Sequence, residues 1–193
     1  MSSGFLVWNS SYREGVCVIS KLEGVEKEWL LLKGVTLASD WPDDVTFSMS
    51  KRYLKDIQLT DNLFGDIYCV VSNAVKEALT PHAVNSNIEF LPVSILNHKG
   101  RVASKDYFIM NPLDVIDCID VEKAGVVWNA IDPSVISSVK ELALREDAIP
   151  KGSIMFRPKS MSAAVLVRRE IGAKLSAAGL TGLSFLEPSK YTG

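Results

Sequence analysis

Asp61-Asn62-Leu63-Phe64-Gly65-Asp66-Ile67-Tyr68-Cys69-Val70-Val71-Ser72-Asn73-Ala74-Val75-Lys76-Glu77-Ala78-Leu79-Thr80 is the stretch on which the fold turns. Phe64, Ile67, Tyr68, Val71, Ala74, Val75, Ala78 and Leu79 recur at three- and four-residue spacings, the period of a helix with one apolar face. Asp61 and Asn62 are of the residue types that cap helix starts, and Pro81 ends a helix after Thr80. The spacing predicts a long central helix over about residues 62–80, well buried because Cys69 and Val70 widen its apolar face.

On either side of this stretch the period is that of strands. Ile88 to Leu96 and Lys105 to Met110, joined through His98-Lys99-Gly100, read as an antiparallel hairpin. Towards the N-terminus, Phe5 to Trp8 reads as an edge strand entering the Asn9-Ser10-Ser11 turn. Glu28 to Lys33 reads as a second strand, and Val45 to Met49 alternates as a half-buried strand does. Beyond the hairpin, Val115 to Val121, Val126 to Trp128, Ile154 to Phe156, Val165 to Val167 and Leu183 to Leu186 are further strand candidates, while Ile136 to Ala143 is open between helix and strand. Arg168 to Ala178 forms a second helix with Gly179 at its end. The expected fold is α+β, mainly antiparallel sheet with the helix at about 62–80 and a C-terminal helix at about 168–178. Residues 1–193 are expected to form a single domain, with residues 1–55 a strand-rich N-terminal subregion and 56–193 the remainder.

Composition is that of an ordinary globular chain, because a 47% hydrophobic and 23% charged content over 193 residues suffices for a core without staples. The net charge of −2 gives no basic footprint for nucleic acid. Residues 61–132 nevertheless carry 5 basic and 10 acidic groups while residues 133–193 carry 9 and 5, an asymmetry that suits either a basic partner or pairing within the fold. Cys17, Cys69 and Cys118 have no metal-site spacing and read as buried hydrophobes in a reducing compartment. Apolar runs such as Trp29 to Leu32 are too short to span a bilayer, and Met1-Ser2-Ser3-Gly4 has no basic leader, so the expected location is cytoplasmic.

The motifs for common chemistries are missing. No Walker loop, dinucleotide fingerprint or zinc-protease helix occurs, and the two histidines, His82 and His98, fall in loops. Asp114, Asp117, Asp120 and Glu122 form the densest acidic cluster, and on a continuous strand Asp114, Asp120 and Glu122 would share one face, as a solvated or partner-facing edge. Arg168-Arg169 opens a helix where its charge opposes the dipole, which calls for either a carboxylate partner within the fold or an acidic binding partner. Trp8, Trp29 and Trp128 sit in apolar strand contexts expected to be core. Trp41 is instead flanked by Asp40, Pro42, Asp43 and Asp44, either an interface anchor or a lid tucked onto the domain. The expected partner-binding residues are therefore Asp40, Trp41, Asp43, Asp44, Asp114, Asp120 and Glu122. No catalytic residue, metal or cofactor is expected.

The stretches Ile88 to Val93, Tyr107 to Pro112, Val115 to Lys123, Ile154 to Arg157 and Gly179 to Phe185 occur in an order that resembles the family of immunity proteins numbered eleven in bacterial polymorphic toxin systems. The resemblance covers about residues 60–188. It implies a cytosolic α+β protein, not an enzyme, that protects its cell by binding a cognate secreted toxin encoded beside it, while the charge and the short apolar runs give no expectation of a nucleic-acid or membrane partner. Its shared residues here are Asp117, Asp120, Phe156, Arg157, Gly182 and Phe185, and toxin contacts would be expected in the variable loops. The residues by themselves also leave open an enzyme using Cys69 or Cys118 with a histidine, an adaptor for a secreted effector, and a homodimer formed through an exposed edge such as Phe5 to Trp8.

Overall fold

The computed structural model describes residues 3–82 and 87–192. Its strands are β1 (Phe5–Ser10), β2 (Ile19–Glu23), β3 (Thr46–Met49), β4 (Cys69–Ser72), β5 (Ile88–Leu96), β6 (Val102–Pro112), β7 (Val115–Ile116), β8 (Val127–Trp128), β9 (Ile136–Ser138), β10 (Met155–Pro158), β11 (Leu166–Arg168) and β12 (Leu183–Leu186). Its helices are α1 (Asn73–Leu79), α2 (Val121–Ala124) and α3 (Arg169–Ala177). One five-stranded sheet runs β12-β1-β11-β10-β7, a second runs β2-β3-β5-β6-β4, and β8 and β9 form a small hairpin. Pairing is antiparallel except at β10/β7 and β3/β5. Among the described residues no helix is long and apolar enough to cross a membrane.

The fold is thus mostly β, and the expected α+β architecture with a long central helix at 62–80 is not found. The longest helix among the described residues, α3, has nine residues and lies within the expected 168–178. Within 61–80 the chain turns at Gly65, whose φ is +119° and where a Cβ would lie 2.3 Å from the Ile19 carbonyl oxygen. Cys69 to Ser72 then pairs with Met110 to Tyr107. Val70 and Val71 point to opposite faces and into different core clusters, and both are fully buried. A strand buried on both faces leaves a run of apolar residues that also satisfies a helical period. The cap is Ser72, whose side chain accepts from the Val75 N–H, so helix begins only at Asn73.

Other expected elements change for local reasons. Glu28–Leu32 is a 3₁₀ turn rather than a strand, with only Leu31 buried. Phe5 to Trp8 is no edge strand, since β1 lies between β12 and β11. Residues 115–121 do not form one strand, because β7 has two residues and Asp120 caps α2 by accepting from the Lys123 N–H. Asp114, Asp120 and Glu122 therefore share no strand face. The hairpin is as expected, with β5 and β6 antiparallel.

Strands from residues 1–55 are divided between the sheets, β1 joining the C-terminal strands and β2 and β3 joining β5. The apolar layer that holds α1 and α3 contains Trp8, Val75, Leu79, Met155, Ile171 and Leu175. Full burial of each aliphatic side chain there contributes about 1.5–3 kcal/mol. Arg169 at the start of α3 has the partner its charge calls for, with two 2.7 Å bonds to the Glu187 carboxylate and one to the Ser3 carbonyl.

Residues 60–62 tie the two sheets together. Asn62 is buried, its Oδ1 accepts from Trp8 Nε1 at 3.2 Å, and its Nδ2 donates to the carbonyls of Asn9 and Gly182. Its neighbour Asp61 accepts from the backbone and hydroxyl of Thr181, both at 2.7 Å, and from the Ser72 hydroxyl at 2.8 Å. Partial burial pushes the Asp61 carboxyl up, but these hydrogen bonds outweigh it and hold the group below its ordinary value. Gly182, at φ +77°, fits so closely that a Cβ would lie 2.3 Å from the Asn62 carbonyl oxygen. Arg157, 1% exposed, is a different kind of buried polar group. Its Nη1 donates to the Ser162 carbonyl at 2.7 Å, while Nε and Nη2 have no partner. Burial accordingly lowers its pKa.

Three outcomes follow in equilibrium unfolding. Gly182→Ala should lose about 2–4 kcal/mol through backbone strain and overpacking, visible as a fall in the urea midpoint. Arg157→Met, which keeps the volume and removes an uncompensated charge, should leave the midpoint unchanged or raise it, and a clear fall would show the guanidinium to be a net stabiliser. Because the folded Asp61 carboxyl titrates below its unfolded value, its stabilisation is fully present above the ordinary carboxylate range and is lost as pH falls below that range and through the folded-state pKa. The midpoint difference between the protein and its Asp61→Ala variant should therefore narrow as pH falls from the ordinary carboxylate range through the lower pKa of the folded state.

Candidate partner-binding surface

The acidic loop around Trp41 is anchored by the strand beneath it. Glu89 on β5 accepts from the Thr36 hydroxyl and from the N–H groups of Leu37 and Ala38, and these bonds hold its carboxyl below the usual range against the opposing effect of burial. Trp41 is half-buried against the core under β5, with its Nε1 donating to the Pro92 carbonyl at 2.9 Å. Its indole thus fixes the loop to the domain with part of the ring left on the surface, while Asp40, Asp43 and Asp44 project into solvent around it. Gly34, at φ +65°, lets the preceding turn lie on Leu113 and Val115, which brings the loop's base to the chain before α2.

The second expected set is dispersed. Asp114 accepts from Asn87 Nδ2 at 2.9 Å, Asp120 is occupied by its cap and by Lys123 Nζ at 2.8 Å, and Glu122 is exposed on the first turn of α2. Asp117 pairs with Arg145 at 2.9 Å. The other shared residues also have contacts within the fold: Phe156 stacks edge-on against Phe5, and Phe185 against Trp8.

The tryptophans are distributed differently from expectation. Trp8 is core, but Trp29 is 54% exposed on its 3₁₀ turn and Trp128 43% exposed on β8. An apolar neighbourhood in sequence marks burial only if the strand is covered on both sides, and β8 pairs with β9 alone. The Tyr12 ring stands 5.8 Å from both Tyr53 and Phe64, and Leu54 (65%), Ile57 (62%) and Ile67, near these rings in sequence, are exposed. The sequence signal for this exposure was present in Tyr53-Leu54 and Ile57, apolar residues in a polar loop.

Burial raises the thiol pKa of Cys17, Cys69 and Cys118 to about 11 in each case, with nearby carboxylates adding to the shift at Cys17 and Cys118 and Arg157 opposing it at Cys69. This is the reverse of an activated nucleophile. His98 meets the Ser50 carbonyl at 3.1 Å, and His82 lies on the turn after α1. Among the described residues no three His, Cys, Asp or Glu side chains are grouped to hold a metal.

Comparison with protein families matches the immunity protein family (Imm11) over residues 15–190, reaching further towards the N-terminus than the 60–188 that carried the resemblance. No curated protein matches the chain. With the match running from before β2 to beyond β12 and so taking in nearly all of both sheets, the chain belongs to the Imm11 family of immunity proteins.

Proposed function

We propose that this protein is the cytoplasmic immunity partner of a polymorphic toxin system and neutralises its cognate secreted toxin by binding it, without cofactor or catalysis. The observation that carries this reading is the family match over residues 15–190. The surface supports it. Asp40, Asp43 and Asp44 are displayed on a loop whose base is fixed by Glu89 and Pro92, so little conformational entropy is lost when a partner orders them. Three exposed carboxylates of one sign favour a toxin with a basic face, both in encounter rate and in rejection of wrong partners. Of Asp114, Asp120 and Glu122, which do not share a face, Glu122 on α2 is the exposed carboxylate available to a partner. A homodimer, if formed, would not use β1 as its pairing edge, since both edges of that strand are occupied.

The test is co-expression with the product of the adjacent gene, followed by affinity measurement at low and high salt. A tight 1:1 or 2:2 complex whose partner kills cells lacking this protein is the expected result. Neutralising Asp40, Asp43 and Asp44 to Asn should weaken that complex by about tenfold or more and flatten its salt dependence. A partner that is harmless to unprotected cells, or no complex at all, would overturn the reading. A fast-labelling cysteine in the folded protein would favour an enzyme instead.

A further inference from the structure

An open cleft of about 860 Å³ lies between the end of β1 and the 64–68 turn, with Lys21, Glu28, Phe64, Asp66 and Ile67 among its lining residues. Its wall is fixed by close backbone approach. Gly65 packs onto the Ile19 carbonyl, and the Phe64 carbonyl accepts from the Ile19 N–H at 2.8 Å. Lys21, the one described non-glycine residue with positive φ (+54°), sits at a β-bulge between Ser20 and Leu22. Such distortion re-aims side chains, and here the Lys21 ammonium is engaged by Glu23. The cleft's remaining charge is two carboxylates. Asp66 accepts from the Tyr68 N–H, and its carboxyl is pushed up by burial and, to a smaller degree, by the negative charge of Glu28. Phe64 lines the cleft and also stands against Tyr12, which in turn stands against Tyr53, so an acidic recess with exposed Ile67 in its lining opens into a ring-lined rim.

We propose that this cleft and its rim receive an arginine-bearing apolar segment of a protein partner, the guanidinium meeting Asp66 and Glu28 while the flanking apolar atoms cover Ile67 and the Tyr12–Phe64 ring pair. A planar guanidinium serves both halves of the surface, since it donates several hydrogen bonds to carboxylates and stacks on aromatic faces. A bare divalent cation would want more oxygen ligands than two carboxylates provide. The rim is pre-formed. Tyr12 is held by its hydroxyl on Asp56, which also accepts from the Gly15 N–H, and the Arg52 guanidinium already stands 6.0 Å from the Tyr53 ring centroid. That the partner is the toxin rests on the function proposed above; the chemistry of the cleft does not.

The experiment has two arms. In the first, acetyl-Arg-Trp-amide is titrated into the full chain at low salt, with acetyl-Glu-Trp-amide as control, following the aromatic and backbone NMR signals of residues 12, 53 and 64–68. The arginine peptide should bind with millimolar affinity and shift those signals. Asp66→Asn with Glu28→Gln should weaken it by about tenfold while leaving the thermal midpoint near that of the parent, and the glutamate peptide should not bind. In the second arm the adjacent gene product is measured against Ile67→Ser and against the charge-neutral pair, each expected to raise Kd by about tenfold or more. Peptide shifts that are absent, that fall elsewhere or that survive the charge-neutral pair overturn the proposal. A toxin affinity unchanged by both variants overturns the toxin as the cleft's occupant and leaves toxin binding to another surface. Peptide binding at the cleft with no toxin complex supports the cleft and overturns the toxin as its occupant.

Discussion

Asn62 is the residue on which the rest of the structure depends. Its amide is buried where two separately hydrogen-bonded sheets meet, and its donors and acceptor reach Trp8, Asn9 and Gly182 on one sheet while its backbone runs beside β4 on the other. A buried amide left unpaired costs more than the bond returns, so the partners must all be in place together. The requirement for glycine at 182 and the three bonds converging on Asp61 are consequences of that joint. The carbonyl of Thr60, accepting from the Tyr107 hydroxyl at 2.9 Å, extends it to β6.

The outer surface is built on this frame by loops that the core holds still. Glu89 and the Pro92 carbonyl pin the Trp41 loop to β5, and Asp56 pins Tyr12 and Gly15 beside the aromatic rim. Both surfaces, the acidic loop and the aromatic rim, thus stand on hydrogen bonds to the domain rather than on free loops. If the protein acts by binding, as proposed, that arrangement removes part of the ordering cost of association and makes discrimination depend on which side chains are shown. Arg157 has no place in that surface, since its guanidinium is enclosed behind Tyr68 and Cys69 with one hydrogen bond.

Much of the strand content was legible, and so was the reason for Arg169. The β5–β6 hairpin carries its turn and its alternation locally, and the positive charge at the start of α3 announced an acceptor that proved to be Glu187. What misled was the 61–80 stretch, where burial on both faces of β4 and a real helix of seven residues merged into one apparent period. The acidic strip of 114–122 failed similarly, because a cap at Asp120 ends any strand there and no two-residue alternation can report a cap. Trp41 was legible as one of two alternatives, and the structure shows its indole bonded to the Pro92 carbonyl with the ring half-buried.

The sequence by itself determined the kind of chain, the hairpin, the span of the C-terminal helix and the family to which it belongs, because each rests on local period or on an ordered set of motifs. Only the tertiary structure decided that residues 61–72 turn and pair rather than coil, that Trp29 and Trp128 face outwards, and that Phe64, Ile67, Tyr12 and Tyr53 come together beside Asp66 and Glu28. The physical reason is that apolar periodicity records how much of a segment is covered, whereas what covers it, and from which side, is set by partners distant along the chain.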